Sequence, residues 1–128
     1  KLEIIEVNDE IAPQANSEAQ NALVKEKEGE RLLAKIKDQE YVILLDLWGE
    51  MINSETLADK IEKLQTYQSS NITFVIAGSL GPGKKVIDRA NWRWKLSDLT
   101  FTHQMTRVLV LEQLYRAYMI LHHNPYHK

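Results

Sequence analysis

The chain has 128 residues, of which 44% are hydrophobic and 27% charged, and its formal net charge is −2. This composition is typical of a folded globular protein and excludes an intrinsically disordered one. Cysteine is absent, which excludes disulfides and thiolate metal sites and fits a reducing, cytoplasmic location. The longest apolar runs are too short to cross a membrane, and the length suits one ordinary core.

The charge is distributed unevenly along the chain. Residues 1–83 carry eight Lys or Arg and 15 Asp or Glu, whereas residues 84–128 carry eight and three, with all four histidines. A basic C-terminal third is typical of a protein that faces a polyanion such as RNA. The same excess fits a helical end with ordinary surface lysines and arginines, so the charge leaves both interpretations open.

The hydrophobic pattern predicts strands that alternate with helices. Short apolar runs indicate strands, and apolar residues at helical spacing after a capping residue indicate helices. The expected strands are residues 2–7, 41–47, 72–76 and 94–97, and the expected helices are residues 17–37, 54–67, 84–90 and 103–122. Caps are expected at Ser17 and Ser54, and a loop containing Pro13 at residues 8–16. The alternation predicts an α/β fold with a mostly parallel sheet and helices on both faces, formed as a single domain over residues 1–128.

Ligands of such sheets bind beyond the carboxyl ends of the strands, where three loops are expected to meet. These loops are residues 48–50, the glycine-rich turn at 77–83, and residues 97–103. The turn lacks the glycine order of a dinucleotide-binding loop or a P-loop. It is either a tight strand-to-helix connection or a loop whose bare backbone approaches a ligand. One cleft lined by all three loops is therefore the expected binding site.

The sequence gives little support to metal or hydrolytic chemistry. His122, His123 and His127 lack the i, i+4 spacing around an acid that a zinc protease uses, so they are interpreted as a solvated helix end. No nucleophile elbow or Ser-His-Asp pattern is present. No metal site is expected.

The last helix, at residues 103–122, is apolar around much of its circumference. A helix of this kind must be covered on more than one side. It is either the central helix of the core or part of an interface with a second copy of the chain.

Several segments carry a family resemblance, and the order of residues in the C-terminal ones has no generic structural explanation. They are KEKEGERLL at 25–33, the strand at 42–47, FVIAGSLG at 74–81, LTFTHQMTRVL at 99–109, EQLYRA at 112–117 and PYHK at 125–128. Together they resemble the bacterial ribosomal RNA large subunit methyltransferase H family of the SPOUT superfamily. The resemblance covers essentially the whole chain.

This resemblance implies a C-terminal trefoil knot that binds S-adenosylmethionine, a homodimer around the knotted helices, and methylation of N3 of a pseudouridine in the assembled ribosome. It assigns the cofactor contacts to Leu45, Ala77, Gly78, Leu96, Ser97, Asp98, Leu99, Thr100 and Phe101. It assigns RNA contacts to His103, Arg107 and Lys128. Tyr126 or His127 would orient the base or handle the N3 proton, because the sulfonium methyl is already activated and mainly needs alignment.

The chain departs from the family pattern in its pocket loops. The indole of Trp48 could fill the adenosine space, and Glu50 reverses a charge. Ala77 replaces a glycine and would be strained if its backbone had a positive φ. Further departures are Pro82 in the turn, Lys95 for a small polar residue, Thr102 for a proline, and the absence of a β-α unit before Leu2.

Three functions are consistent with these observations. The first is an S-adenosylmethionine-dependent ribosomal RNA methyltransferase. The second is a catalytically impaired or re-engineered relative that keeps the knotted dimeric fold, which the altered loops favour. The third is a generic RNA-binding module, which only the charge distribution supports.

Overall fold

The computed structural model describes residues 2–7, 17–68 and 71–128, in which helices and strands alternate. The elements are α1 (Glu18–Leu33), β1 (Tyr41–Glu50), α2 (Ser54–Tyr67), β2 (Ile72–Val75), α3 (Lys84–Arg89), β3 (Trp92–Trp94) and α4 (His103–Leu121). The predicted loop at residues 8–16 lies outside the described residues.

The three strands form one parallel sheet in the order β2-β1-β3. Tyr41 pairs with Ile72 on one side of β1, and Ile43 pairs with Trp92 on the other. The central strand is therefore flanked along both edges, and its residues 42–46 are buried. A continuous apolar run is typical of a strand covered on both faces, and the predicted parallel α/β sheet is confirmed.

Alternate residues of β1 point into two separate hydrophobic clusters. On one face Ile43 and Leu45 pack with residues of α2, β3 and α4, namely Leu57, Leu64, Trp94 and Val110. On the other face Val42 and Leu44 pack with Val75 and Val86, against partly buried residues of α1 and α3. Helices cover both faces of the sheet, as the sequence predicts.

The helix starts are set by local side-chain caps. Ser17 and Gln20 form the predicted capping box at α1. The cap of α2 is Asn53, whose side chain accepts a hydrogen bond from the Thr56 amide at 2.8 Å, so the prediction of Ser54 was one residue late. The Ser54 hydroxyl instead donates to Gln113 Oε1 at 2.8 Å and joins α2 to α4.

Two predicted strands are corrected by the structure. Residues 2–7 form no ladder with the described strands, and Leu2, Ile4 and Ile5 are exposed. An apolar run becomes a strand only where a neighbouring strand completes its backbone hydrogen bonds. The last strand is residues 92–94 rather than 94–97, because Trp92 and Trp94 pair with β1 and stack on each other.

No helix among the described residues is long and apolar enough to cross a membrane.

Candidate functional site

The parallel strands end at one edge of the sheet, and the loops that follow them lie side by side there. Residues 46–49 interrupt the pairing of β1 with β3, since both Leu45 and Glu50 pair with Trp94. Residues 76–83 follow β2, and residues 95–102 follow β3. The three loops expected to share a cleft thus belong to adjacent strands.

A buried ion pair braces the irregular end of β1. The side chain of Asp46 is 3% exposed, and its Oδ2 accepts a hydrogen bond from Arg93 Nε in β3. Its Oδ1 accepts from the Trp48 amide at 3.2 Å, which holds the chain in its turn. A Cβ at Gly49 would lie 2.6 Å from the carbonyl carbon and oxygen of Arg93, so this position has room only for glycine.

The two altered residues that flank Gly49 differ in their contacts. Trp48 is 84% exposed, so its indole packs against little of the protein, and its place in the adenosine space stays a prediction. The Glu50 carboxylate accepts a hydrogen bond from Trp92 Nε1 at 2.9 Å. The Glu50 carboxylate therefore links β1 to β3 through this hydrogen bond.

The glycine-rich turn is a tight connection whose glycines are partly buried. Gly81 has φ +86° with nothing within 4 Å of a Cβ built there, and its amide donates to the Gly78 carbonyl at 2.9 Å. A Cβ at Gly78 would lie 3.0 Å from a carboxylate oxygen of Glu28, a buried residue of α1. Ala77 has no positive φ, so the expected backbone strain at this alanine is absent.

The loop after β3 is held by its own polar side chains. Lys95 Nζ lies 2.6 Å from Asp98 Oδ1, and the Ser97 hydroxyl oxygen accepts from the Leu99 amide at 3.0 Å. The Leu99 side chain is 69% exposed. The Thr102 hydroxyl oxygen accepts a hydrogen bond from the Met105 amide at 3.2 Å and so caps the start of α4. Threonine is a favourable residue at a helix N-cap.

The predicted cofactor residues differ in accessibility. Leu45 belongs to the buried cluster between the sheet and α4, whereas Ala77, Gly78, Leu96, Ser97 and Phe101 are partly buried. Asp98, Leu99 and Thr100 are exposed. The exposed Leu99 lies on the same loop as the partly buried Leu96 and Phe101, and such apolar surface suits the apolar part of a ligand.

Two open clefts lie elsewhere and do not include residues 95–102. One, of about 670 Å³, lies between α1 and α3 and reaches Pro82 and Gly83 of the turn. The other, of about 440 Å³, lies beside α2 and Trp92, where Lys60 Nζ sits 4.5 Å from the indole centroid.

The residues assigned to RNA are arranged along α4 and at the chain end. His103 is the first residue of α4, and Arg107 lies one turn further on. Arg107 Nη1 pairs with Glu6 Oε1 at 2.8 Å, and its other arm binds Gln104. Lys128 is exposed and forms no ion pair with the described residues.

The C-terminal residues fold back on α4. His123 has φ +56°, and the Asn124 amide donates to the Met119 carbonyl at 2.8 Å, which reverses the chain after the helix. The Tyr126 hydroxyl then donates to Glu112 Oε1 at 3.1 Å. His127 Nε2 lies 2.7 Å from Glu55 Oε1 at the start of α2.

Arg116 contacts Glu112 as well as both of these C-terminal side chains. We call the connected group the tail cluster, and its members are Glu55, Glu112, Arg116, Tyr126 and His127. Arg116 Nη2 donates to Glu112 Oε1 at 2.7 Å, and its Nη1 lies 3.0 Å from His127 Nδ1. Its guanidinium carbon is 4.9 Å from the Tyr126 ring centroid, within cation–π range. Five side chains from two helices and the chain end therefore form one connected network.

The pKa values in the tail cluster follow from these contacts. The hydrogen bond from Arg116 lowers the pKa of Glu112, and that from His127 lowers the pKa of Glu55. The hydrogen bond to the Glu112 carboxylate raises the pKa of Tyr126, which therefore stays a neutral phenol at physiological pH.

Sequence reasoning missed several residues that shape the site. Asp46 and Glu28 lie in segments that carry the resemblance but were given no role, Arg93 lies in none of them, and their partners are distant along the chain. Glu112 and Arg116 do carry a local signal, because acid and base four residues apart on a helix form an ion pair. Among the described residues, no group of three or more metal-ligating side chains could hold an ion.

Comparison with known proteins shows the family. A family model described as "Predicted SPOUT methyltransferase" matches residues 1–127. The chain is also 52% identical over its whole length to the ribosomal RNA large subunit methyltransferase H of Latilactobacillus sakei. This chain belongs to that methyltransferase family.

Other relatives of the same name give the same result. The identity is 48% to the protein of Finegoldia magna and 50% to that of Clostridium novyi, in each case over all 128 residues. The match covers 80% of each of these relatives. The resemblance inferred from the C-terminal segments is confirmed.

Proposed function

We propose that this family member transfers a methyl group from S-adenosylmethionine to N3 of a pseudouridine in large-subunit ribosomal RNA of the assembled ribosome. The observation that carries the proposal is the chain-long similarity, about half of all residues, to proteins named for methylation of that RNA. The neighbouring loops at the carboxyl edge of the sheet support it, because they provide a place for a small ligand beside a basic helix.

The residues at this edge fit the cofactor. Gly81 has open space beside its backbone, and Leu96, Leu99 and Phe101 provide apolar surface for an adenosine or methionine group. Bound S-adenosylmethionine would supply an electrophilic methyl group. The chain's own task is then to hold the base in line and to assist loss of the N3 proton.

His127 suits the proton-handling role better than Tyr126. The pKa of Tyr126 is raised by its hydrogen bond to Glu112, so a phenolate base is scarce at neutral pH. His127 presents an imidazole whose Nδ1 faces Arg116 and whose Nε2 faces Glu55, so the contact of Nδ1 with Arg116 must open before the imidazole accepts the N3 proton. We assign it the proton contact with the base and assign Tyr126 an orienting role.

RNA binding would draw on His103, Arg107 and Lys128. The ion pair of Arg107 with Glu6 is exposed, and such pairs contribute only about 0–1 kcal/mol. Arg107 can therefore exchange Glu6 for a phosphate with little loss. Lys128 extends this cationic surface at the chain end.

We propose a single-domain homodimer with a C-terminal trefoil knot. Its support is a stripe of exposed apolar residues on α4 at helical spacing: Met105, Val108, Tyr115 and Tyr118. A second copy would cover this stripe. Sedimentation of wild type and Val108→Asp should show a dimer and a monomer respectively; a monomeric wild type contradicts this part.

The catalytically impaired relative remains the second candidate, and one of its reasons is weakened. Ala77 has no positive φ, so the backbone strain expected at this alanine is absent.

Calorimetric titration with S-adenosylmethionine tests the cofactor proposal. We expect binding tighter than about 1 mM, weakened by Leu99→Asp and unchanged by Leu23→Asp, which alters another exposed leucine, on α1. Absent binding by the wild type would favour the impaired relative. Mass spectrometry of ribosomal RNA after incubation with unmethylated ribosomes then tests the reaction, which should add one methyl group to a pseudouridine.

A further inference from the structure

The two nitrogens of His127 have different partners, and these define its hydrogen positions. Arg116 can only donate hydrogen bonds, so His127 Nδ1, 3.0 Å from Arg116 Nη1, must offer its lone pair. Nε2 then carries the hydrogen and donates it to Glu55 Oε1 at 2.7 Å. The surroundings therefore select the neutral Nε2–H tautomer of His127.

Arg116 is the residue that joins this histidine to the tyrosine. It contacts Glu112, His127 and the face of the Tyr126 ring, and its side chain is only 23% exposed. Tyr115 packs against the Tyr126 ring in a T-shaped arrangement, with centroids 4.9 Å apart. Both tail side chains are thus oriented by groups on helices, although they lie beyond the last helix.

Polar contacts hold the residues that follow α4. Side chains outside helices and strands are ordered only where specific contacts hold them. Here Glu55 holds His127 from α2, while Glu112 and Arg116 hold both tail residues from α4. Ordering two side chains before RNA arrives removes that entropic penalty from the binding step.

We propose that Arg116, together with Glu112 and Glu55, positions the Tyr126–His127 tail for the RNA substrate and selects the Nε2–H tautomer of His127. These three are positioning residues that act through the tail. The inference rests on the proposed function for its consequence in methylation. Its structural part, the tautomer of His127, is measurable on the protein alone.

The first measurement is nitrogen NMR of histidine-labelled full-length protein, with the His127 signals assigned from their loss in His127→Asn. Wild type should show the Nε2–H tautomer at His127, and Arg116→Ala should show a mixture with the Nδ1–H form. Lys63→Ala, which removes an exposed ion pair of 2.9 Å elsewhere on α2, should leave the tautomer unchanged. An unchanged tautomer in Arg116→Ala would overturn the proposal.

The second measurement is methylation kinetics on unmethylated ribosomes. Arg116→Ala should lower kcat/KM for ribosomes about tenfold while affinity for S-adenosylmethionine stays unchanged. Glu55→Gln should retain most activity, because its amide oxygen still accepts from Nε2–H, whereas Glu55→Ala should lose it in part. Wild-type kcat/KM in an Arg116→Ala protein with a mixed tautomer would refute the positioning role.

The two measurements separate the possible failures. If wild type does not methylate ribosomes, the proposed function fails, and the tautomer experiment still decides whether Arg116 orients His127. Arg116→Lys keeps the charge but lacks a second arm, so it should pair with Glu112 without restoring the His127 tautomer. Full restoration by lysine would show that charge rather than geometry orders the tail, against the proposal.

Discussion

The carboxyl-edge loops and the tail cluster are built in different ways. At the end of β1, a nearly buried carboxylate and a glycine pressed against the Arg93 backbone hold the chain. In the tail cluster, partly exposed side chains on α2, α4 and the chain end bind one another. The loop geometry is thus part of the fold, whereas the tail is attached to a fold that is already complete.

This difference matches the tasks proposed for the two regions. A small cofactor of fixed shape needs a pre-formed site, and buried contacts that unfold only with the protein provide one. A large RNA needs groups that can be ordered in advance and then change partners, and exposed contacts provide these. Substitutions in the loops should therefore lower the global stability of the protein, whereas substitutions in the tail cluster should change how it handles the substrate.

The largest effect is expected from Gly49→Ala. The new Cβ would lie 2.6 Å from the Arg93 carbonyl group, so the end of β1 must move away from β3. We expect a loss of about 3 kcal/mol in the free energy of unfolding, measured by urea denaturation. The control is Gly81→Ala, which meets no atoms but has φ +86° and should lose about 1 kcal/mol. Equal losses would mean that the strand end is not tightly packed.

The next effect is expected from Asp46→Asn. The amide cannot replace the charge that faces Arg93, but Arg93 is 37% exposed and can turn toward water. We expect a loss of about 2 kcal/mol in urea denaturation. Asp98→Asn removes an exposed partner of Lys95 and serves as the control, with no measurable loss. If Asp46→Asn caused no loss in the free energy of unfolding, the contrast between the two regions would disappear.

A smaller effect on stability is expected from Glu112→Gln. The urea midpoint should stay within error, because the partners of Glu112 are partly exposed and can reach water. The NMR signals of Tyr126 and His127 should nevertheless shift, since both the phenol and Arg116 lose a carboxylate. A large drop in the midpoint would show that the tail is as integral to the fold as the β1 end.

The smallest effect concerns pH. The folded pKa values of Glu55 and Glu112 lie below the ordinary 4.5, so their stabilisation of the tail is present above that pH and lost as the pH falls through the folded values. The folded pKa of Tyr126 lies above 10.0, so its stabilisation is present below pH 10 and lost as the pH rises further.

Ultraviolet absorbance of the phenolate measures the alkaline limb, with Tyr126→Phe identifying its contribution. Glu112→Gln should lower the Tyr126 pKa toward 10.0. NMR signals of the tail should report its release in acid. Tail signals that stay constant through the acid range would contradict the assigned carboxylate contacts.

Most helices were predictable because their signals are local. The capping box at Ser17 and the spacing of apolar residues set the starts of α1, α2 and α4 within one or two residues. The strand at residues 2–7 was wrong because its apolar pattern is the same with or without a neighbouring strand. β3 was displaced because its bounds depend on pairing with β1.

The candidate site also has parts that the sequence predicted and parts that it did not. Its loops were located by topology and its residues by resemblance, and the similarity to methyltransferase H proteins confirms the family. The exposure of Trp48 was not predictable, because the course of the chain at this irregular strand end depends on contacts of Asp46 and Gly49 with β3. Whether the assigned residues bind cofactor and RNA stays a prediction.

The sequence by itself determined the helix starts, the parallel α/β class and the family, because caps, periodicity and residue order are all local properties of the chain. Only the tertiary structure determined which charged or polar side chains pair with each other. Asp46 and Arg93 are 47 residues apart, and Glu55 and His127 are 72 apart. Such pairs form because packing against the shared sheet brings distant segments together, and no local pattern encodes that distance.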